Sequence, residues 1–121
     1  MKKRILIIDD NEQDKKIMKR FLNKAGFQDI SFAVTGEEGL DKADSEKPAL
    51  VILDTILPGI DGFETCRRLR ESKKLSGLRI IIITGSIDAV DAVKARKVGA
   101  DDYCAKTSDF APLLEAVAGL T

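Results

Sequence analysis

Three unbroken apolar runs of strand length, residues 5–8 (ILII), 49–53 (ALVIL) and 80–83 (IIII), restrict this chain more than any other feature. A strand with one wet face alternates polar and apolar side chains, so continuous, mostly branched runs mark strands covered by helices on both sides. They are read as central parallel strands. Two weaker candidates accompany them. Ile30, Phe32 and Val34 alternate with polar or small residues, and 101–106 has only Tyr103, Cys104 and Ala105 as its less polar centre. These are read as edge strands.

Helical spacing fills the intervals: Ile17, Met18, Phe21, Leu22 and Ala25; Leu40 and Ala43; Phe63, Cys66 and Leu69; Val90, Val93 and Val98; Phe110, Leu113, Leu114 and Val117. Gly26 and Gly99 stand where left-handed helix ends are wanted, and Pro48 precedes a strand. Asp109 as the last helix cap places Pro112 in the first turn, where a missing amide proton matters little. The order is (βα) five times. Right-handed crossovers, with edge strands second and fifth in sequence, predict an α/β doubly wound parallel sheet of strand order 2-1-3-4-5, the flavodoxin-like arrangement.

The 20 Lys and Arg balance the 20 Asp and Glu, which leaves no positive field to hold nucleic acid or an anionic membrane. Lys15, Lys16, Lys19 and Arg20, and again Arg67, Arg68 and Arg70, are read as solvated helix faces. No apolar run approaches the ~18 residues of a membrane span. Cys66 and Cys104 lack any paired spacing and read as small core residues, which with the rest predicts a reducing, cytoplasmic setting.

Ligands of such sheets bind beyond the carboxyl ends of the strands. Those ends are Asp9 and Asp10, Asp54, Thr84 and Lys106. Carboxylates brought together there repel by about 4 kcal/mol per pair at ~4 Å and an effective dielectric near 20, so they call for a cation or raised pKa values. Mg2+ suits few carboxylates with positions open to water and phosphate oxygens. This set fits phosphoryl transfer, with Asp54 as nucleophile and Mg2+ on Asp9, Asp10 or both, Asp54 and the Thr55 carbonyl. Lys106 and the Thr84 hydroxyl would take the remaining phosphoryl oxygens, with room left by Gly85.

The blocks ILIIDDN, LVILDTILPGIDGFE, IIIITG and GADDYCAK resemble those of bacterial two-component response-regulator receiver domains, over essentially the whole chain as one domain, 1–121. The resemblance implies an acid pair at Asp9 and Asp10, a phosphoacceptor at Asp54, a switch hydroxyl at Thr84, a switch aromatic at Tyr103 and a phosphate-binding lysine at Lys106. It implies Ile56 and Ser86 as the positions that tune phosphoryl lifetime. A sensor histidine kinase or phosphotransfer protein would be the donor. The domain would not be an enzyme in the ordinary sense but would assist its own phosphorylation and dephosphorylation. Its phosphoryl group would draw Thr84 inward and let Tyr103 rotate behind it, altering a surface read by an effector protein or by self-association. One departure stands out: Thr107 follows the lysine where the family mostly has a cis proline. The expectation is a trans bond with a shifted loop, or a strained one. Two other functions remain open on sequence: a docking module that never carries phosphate, and an enzyme such as a flavin electron carrier or an Asp-nucleophile phosphatase. Against the enzyme, the first βα turn DDNEQD is acidic where a flavin phosphate wants Ser, Thr and Gly, and no acid stands two residues after Asp54.

Overall fold

Strands β1 (Ile5–Ile8), β2 (Ile30–Ala33), β3 (Leu50–Asp54), β4 (Arg79–Thr84) and β5 (Asp102–Ala105) alternate with helices α1 (Glu12–Lys24), α2 (Gly36–Glu46), α3 (Gly62–Glu71), α4 (Ala89–Lys97) and α5 (Ala111–Leu120) in a computed structural model that describes residues 3–121. The strands pair in parallel in the order β2-β1-β3-β4-β5, as the apolar runs predict. Asp54 and Thr84 are the last residues of their strands rather than the first beyond them.

The period of two along each central strand divides the core. Leu6, Ile8, Val51, Leu53, Ile80 and Ile82 face α2, α3 and α4 through Ala43, Phe63, Cys66, Leu69 and Ala95. Ile5, Ile7, Leu50, Ile52, Ile81 and Ile83 face α1 and α5 through Met18, Leu22, Leu113, Ala116 and Val117. Full burial of each such branched side chain is worth about 1.5–3 kcal/mol, so two filled layers hold the sheet in place beneath its carboxyl edge. Burial also pushes the Cys66 and Cys104 thiols up, to about 11 and about 12, which fits inert core residues.

Helix ends follow local chemistry. Asn11 caps α1 by accepting the Asp14 N–H at 2.9 Å, and Asp61 caps α3 by accepting the Glu64 N–H at 2.8 Å. Gly26 takes a φ of 101° after α1. At the start of α5 the expected cap is displaced: Phe110 occupies the cap position with a left-handed φ of 51°. Asp109 still serves the helix by accepting the Ala111 N–H at 3.0 Å, and Pro112 lies in the first turn.

Two basic residues depart from the solvated faces expected of them. Lys15 is buried, paired with Glu12 at 2.7 Å and lying over the Phe32 ring. Arg70 donates to the Gly99 carbonyl at 2.7 Å and to Asp101 at 2.8 Å, while Asp101 also accepts the Ile80 N–H, so this pair ties α3 to the starts of β4 and β5. The α4 pattern gives a helix where expected, but Val90 and Val93 are 75% and 49% exposed and the helix buries Ala95. No helix among the described residues is long and apolar enough to cross a membrane.

Candidate functional site

The register of the sheet assembles the site as a staircase. Ile8 pairs with Leu53, which sets Asp9 level with Asp54; Asp54 pairs with Ile83, one residue before Thr84; Thr84 pairs with Ala105, one residue before Lys106. All four side chains thus reach the same carboxyl edge from adjacent strands.

Asp9 is fully buried, Asp54 is buried and Asp10 is exposed, and one carboxylate oxygen from each lies within 4.8 Å of the others. Capping does not account for this trio, because Asn11 performs that duty; Asp9 contributes only by accepting the Asn11 N–H at 2.9 Å. Lys106 reaches into the cluster and donates to Asp9 Oδ2 at 2.8 Å, Asp14 Oδ2 at 2.8 Å and Asp54 Oδ2 at 3.0 Å. Burial raises the Asp54 carboxyl first and the charge of Asp9 adds to it; Lys106 pulls the other way but leaves it at about 6. Burial works against the Lys106 ammonium, but its bonds to Asp14 and Asp9 and the charge of Asp54 outweigh that and hold it above its ordinary value. The donor set is all carboxylate oxygen, which suits a hard divalent cation such as Mg2+.

The Thr55 carbonyl accepts the Gly62 N–H at 3.0 Å, which closes the β3–α3 loop and leaves its second lone pair for a cation. That closure is tight. A Cβ on Gly62 would stand 2.0 Å from the Asp54 carbonyl oxygen, so only glycine lets the loop fold back against the end of β3. The Thr84 hydroxyl donates to the Ser86 carbonyl at 3.1 Å, accepts the Ser86 N–H at 3.2 Å and lies 3.4 Å from Thr55 Oγ1. A cavity of about 530 Å3 opens beside it, lined among others by Ile56, Phe63, Gly85 and Ser86. Ile56 is 80% exposed, and the space around Gly85 is open.

Tyr103 stands apart from the acids, half-buried against the α3 and α4 side of the core, and its hydroxyl oxygen is buried with no partner among the described residues. In this structure the ring is turned inward. The Lys106–Thr107 peptide bond is trans, and Lys106 still reaches all three acids. Beyond it, Phe110 takes a left-handed φ of 51° and its N–H donates to the Thr107 carbonyl at 3.1 Å.

Asp14 is the contact that strand-end reasoning misses. It lies in the first turn of α1, five residues past Asp9, and the asparagine cap before it is the signal that fixes the phase of that turn and points its third residue back toward the sheet edge.

Comparison with known proteins agrees with this geometry. Residues 5–118 match the response regulator receiver domain family. The chain is 40% identical over 112 residues to the Bacillus subtilis alkaline phosphatase synthesis transcriptional regulatory protein PhoP, covering 93% of this chain and 45% of that protein. It is 34% identical to protein PilH of Pseudomonas aeruginosa, covering 94% of this chain and 93% of PilH. Among solved structures, a putative response regulator from Chloroflexus aurantiacus superposes with a TM-score of 0.91 at 30% identity, covering 99% of this chain and 98% of that one. The BeF3-activated DrrB receiver domain does so at 0.84 and 30%, covering 99% and 97%. The chain spans under half the length of several curated relatives it matches, PhoP among them. With a family match over nearly all of its length and the acid, hydroxyl and lysine set at one sheet edge, the chain belongs to the receiver domains of two-component response regulators, a family known for accepting a phosphoryl group on an aspartate.

Proposed function

We propose that residues 1–121 form one receiver domain in which Asp54 accepts a phosphoryl group from a phosphohistidine of a sensor kinase or phosphotransfer protein. The observation that carries this reading is the Asp54 carboxylate, buried beside Asp9 with Oδ2 3.0 Å from the Lys106 ammonium. An Asp54 oxygen attacks phosphorus in line, the P–N bond to the imidazole breaks, and the imidazole nitrogen leaves with the bonding pair and takes up a proton. Lys106 stays at hand to meet charge on an equatorial oxygen. Thr84 contributes by turning its hydroxyl from the Ser86 carbonyl to a phosphoryl oxygen, which frees the loop after β4. When bound by Asp9, Asp10 and Asp54, a magnesium ion supplies further neutralisation of the phosphoryl oxygens.

Ile56 and Ser86 flank the cavity next to Thr84 and set how water reaches the acyl phosphate. The exposed, apolar Ile56 cannot orient a water by hydrogen bonding, so Asp54 would hold its phosphoryl group longer than in an Ile56→Asn variant. The released β4–α4 loop, with Tyr103 beside it, is the element an effector protein or a second copy would read, in a cytoplasmic pathway. The domain assists its own phosphorylation and dephosphorylation rather than turning over a substrate.

The test is intact-protein mass after incubation with Mg2+ and phosphoramidate or acetyl phosphate. One phosphoryl group is expected on the parent and none on Asp54→Ala. Equal labelling of the alanine variant defeats the assignment.

A further inference from the structure

We propose that Asp14 is a positioning residue that retains the Lys106 ammonium when Asp9 and Asp54 turn to a divalent cation. The inference rests on reading Asp9, Asp10 and Asp54 as the cation site.

An ammonium carries three N–H donors, and in this structure all three are used, on Asp9, Asp14 and Asp54. Two of those acceptors belong to the trio whose oxygens converge within 4.8 Å; Asp14 does not. A cation and Lys106 therefore draw on the same two carboxylates, and a cation there weakens their hold on the ammonium. If Lys106 had only Asp9 and Asp54, cation binding would strand a largely buried ammonium, its side chain 13% exposed, next to a like charge. Asp14 removes that conflict because it can keep its bond to Lys106 while the other two are surrendered.

Its placement suits this role. Asp14 is anchored in the first turn of α1 through its own N–H on Asn11 Oδ1, so its carboxylate is held at the rim of the cluster rather than within it. Its side chain is 28% exposed and stays hydrated when Lys106 moves. No neighbour on that turn substitutes for it, because Glu12 is committed to Lys15 at 2.7 Å. In the phosphorylated domain the two donors surrendered by Asp9 and Asp54 become free for phosphoryl oxygens, and Asp14 keeps the ammonium within reach. The bond it makes spans 92 residues of sequence and links α1 to the end of β5.

The test is the Mg2+ dissociation constant by calorimetry at about 0.15 M salt, where through-space fields beyond ~8 Å are screened, in the parent, Asp14→Asn, Asp14→Glu, Lys106→Met and the Asp14→Asn/Lys106→Met pair. Asp14→Asn should raise the constant about five- to tenfold, the scale of a partly shielded ion pair. Asp14→Glu, which can still reach, should stay within about twofold of the parent. In the Lys106→Met background the asparagine substitution should change the constant by less than about twofold, because there is no ammonium to retain. Amide spectra of each variant without Mg2+ establish that the fold is kept. The side-chain ammonium resonance of Lys106 gives a second reading: it should remain protected from exchange in the Mg2+-saturated parent and be lost in Asp14→Asn. An unchanged constant in Asp14→Asn, or an equal loss in both backgrounds, overturns the role of Asp14 alone. A parent that binds no Mg2+ overturns the cation site with it, and labelling of Asp54 is judged separately by mass.

Discussion

The two halves of the carboxyl edge are built on opposite terms. At the β1–β3 half, charge is crowded: three acids and one lysine satisfy one another at 2.8 to 3.0 Å, in a setting that raises the Asp54 carboxyl. At the β4–β5 half, contacts are sparse: the Thr84 hydroxyl turns to its own loop, the Tyr103 hydroxyl is buried unpaired, and α4 leaves Val90 and Val93 exposed. The first half stores electrostatic conflict that a cation or a phosphoryl group can relieve, and the second is held loosely enough to respond. Coupling between them needs only a group that touches both, and Thr84, 3.4 Å from Thr55 on one side and bonded to Ser86 on the other, is placed to do so.

The sharpest way to break this contrast is to remove the one cation from the crowded half. In cation-free buffer Lys106→Met leaves Asp9 and Asp54 buried without a counter-charge and should lower stability by about 2–4 kcal/mol, measured by urea unfolding. Millimolar Mg2+ should restore part of that loss. A variant as stable as the parent without Mg2+ would mean that the acids are not in conflict.

Removing an anion should act in the opposite direction. The folded Asp54 carboxyl, raised from 3.8 to about 6, binds its proton more tightly than the unfolded chain does, so the Asp54 contribution to stability falls as pH rises from about 4 through about 6. The penalty is full above that window and absent below it. Without a divalent cation Asp54→Asn should therefore be more stable than the parent by about 1–2 kcal/mol at pH 7, with the gap closing below about pH 4. A gap that is constant with pH would assign the gain to packing instead.

How much of this was legible in the sequence divides along the same line. The acids, Thr84 and Lys106 could be placed because parallel register follows from the apolar runs, and a residue that ends such a run has nowhere to go but the carboxyl edge. Asp14 could not be placed that way, since its contact depends on the rotational phase of α1, which Asn11 sets. The α4 valines misled because their spacing imitates a buried stripe. The inward side of that helix is made by Ala95 and Val98, and the exposed Lys94 places its ammonium 4.6 Å over the Phe63 ring. A lysine covering an aromatic ring is invisible to a hydrophobic pattern. The turn at Gly62 was not legible either, because it depends on a close approach and not on residue polarity.

The smallest expected effect tests the loose half directly. Tyr103 packs its ring against the core with Ala95 and Val98, yet its hydroxyl oxygen has no partner among the described residues. A buried hydroxyl without a hydrogen bond forfeits the water it would hold when unfolded, at about 1–3 kcal/mol, and part of that is offset by the packing of the ring. Tyr103→Phe keeps the ring and removes the orphan oxygen, so the unphosphorylated variant should gain about 1 kcal/mol in urea unfolding. The same substitution at a site where the hydroxyl was bonded would lose stability, which makes the sign the deciding observation. A gain means that the inward ring is held by apolar contact against a standing polar penalty, and so is easily displaced by movement at Thr84. A loss means that the hydroxyl finds a partner, and the β4–β5 half is then as firmly satisfied as the acid half beside it.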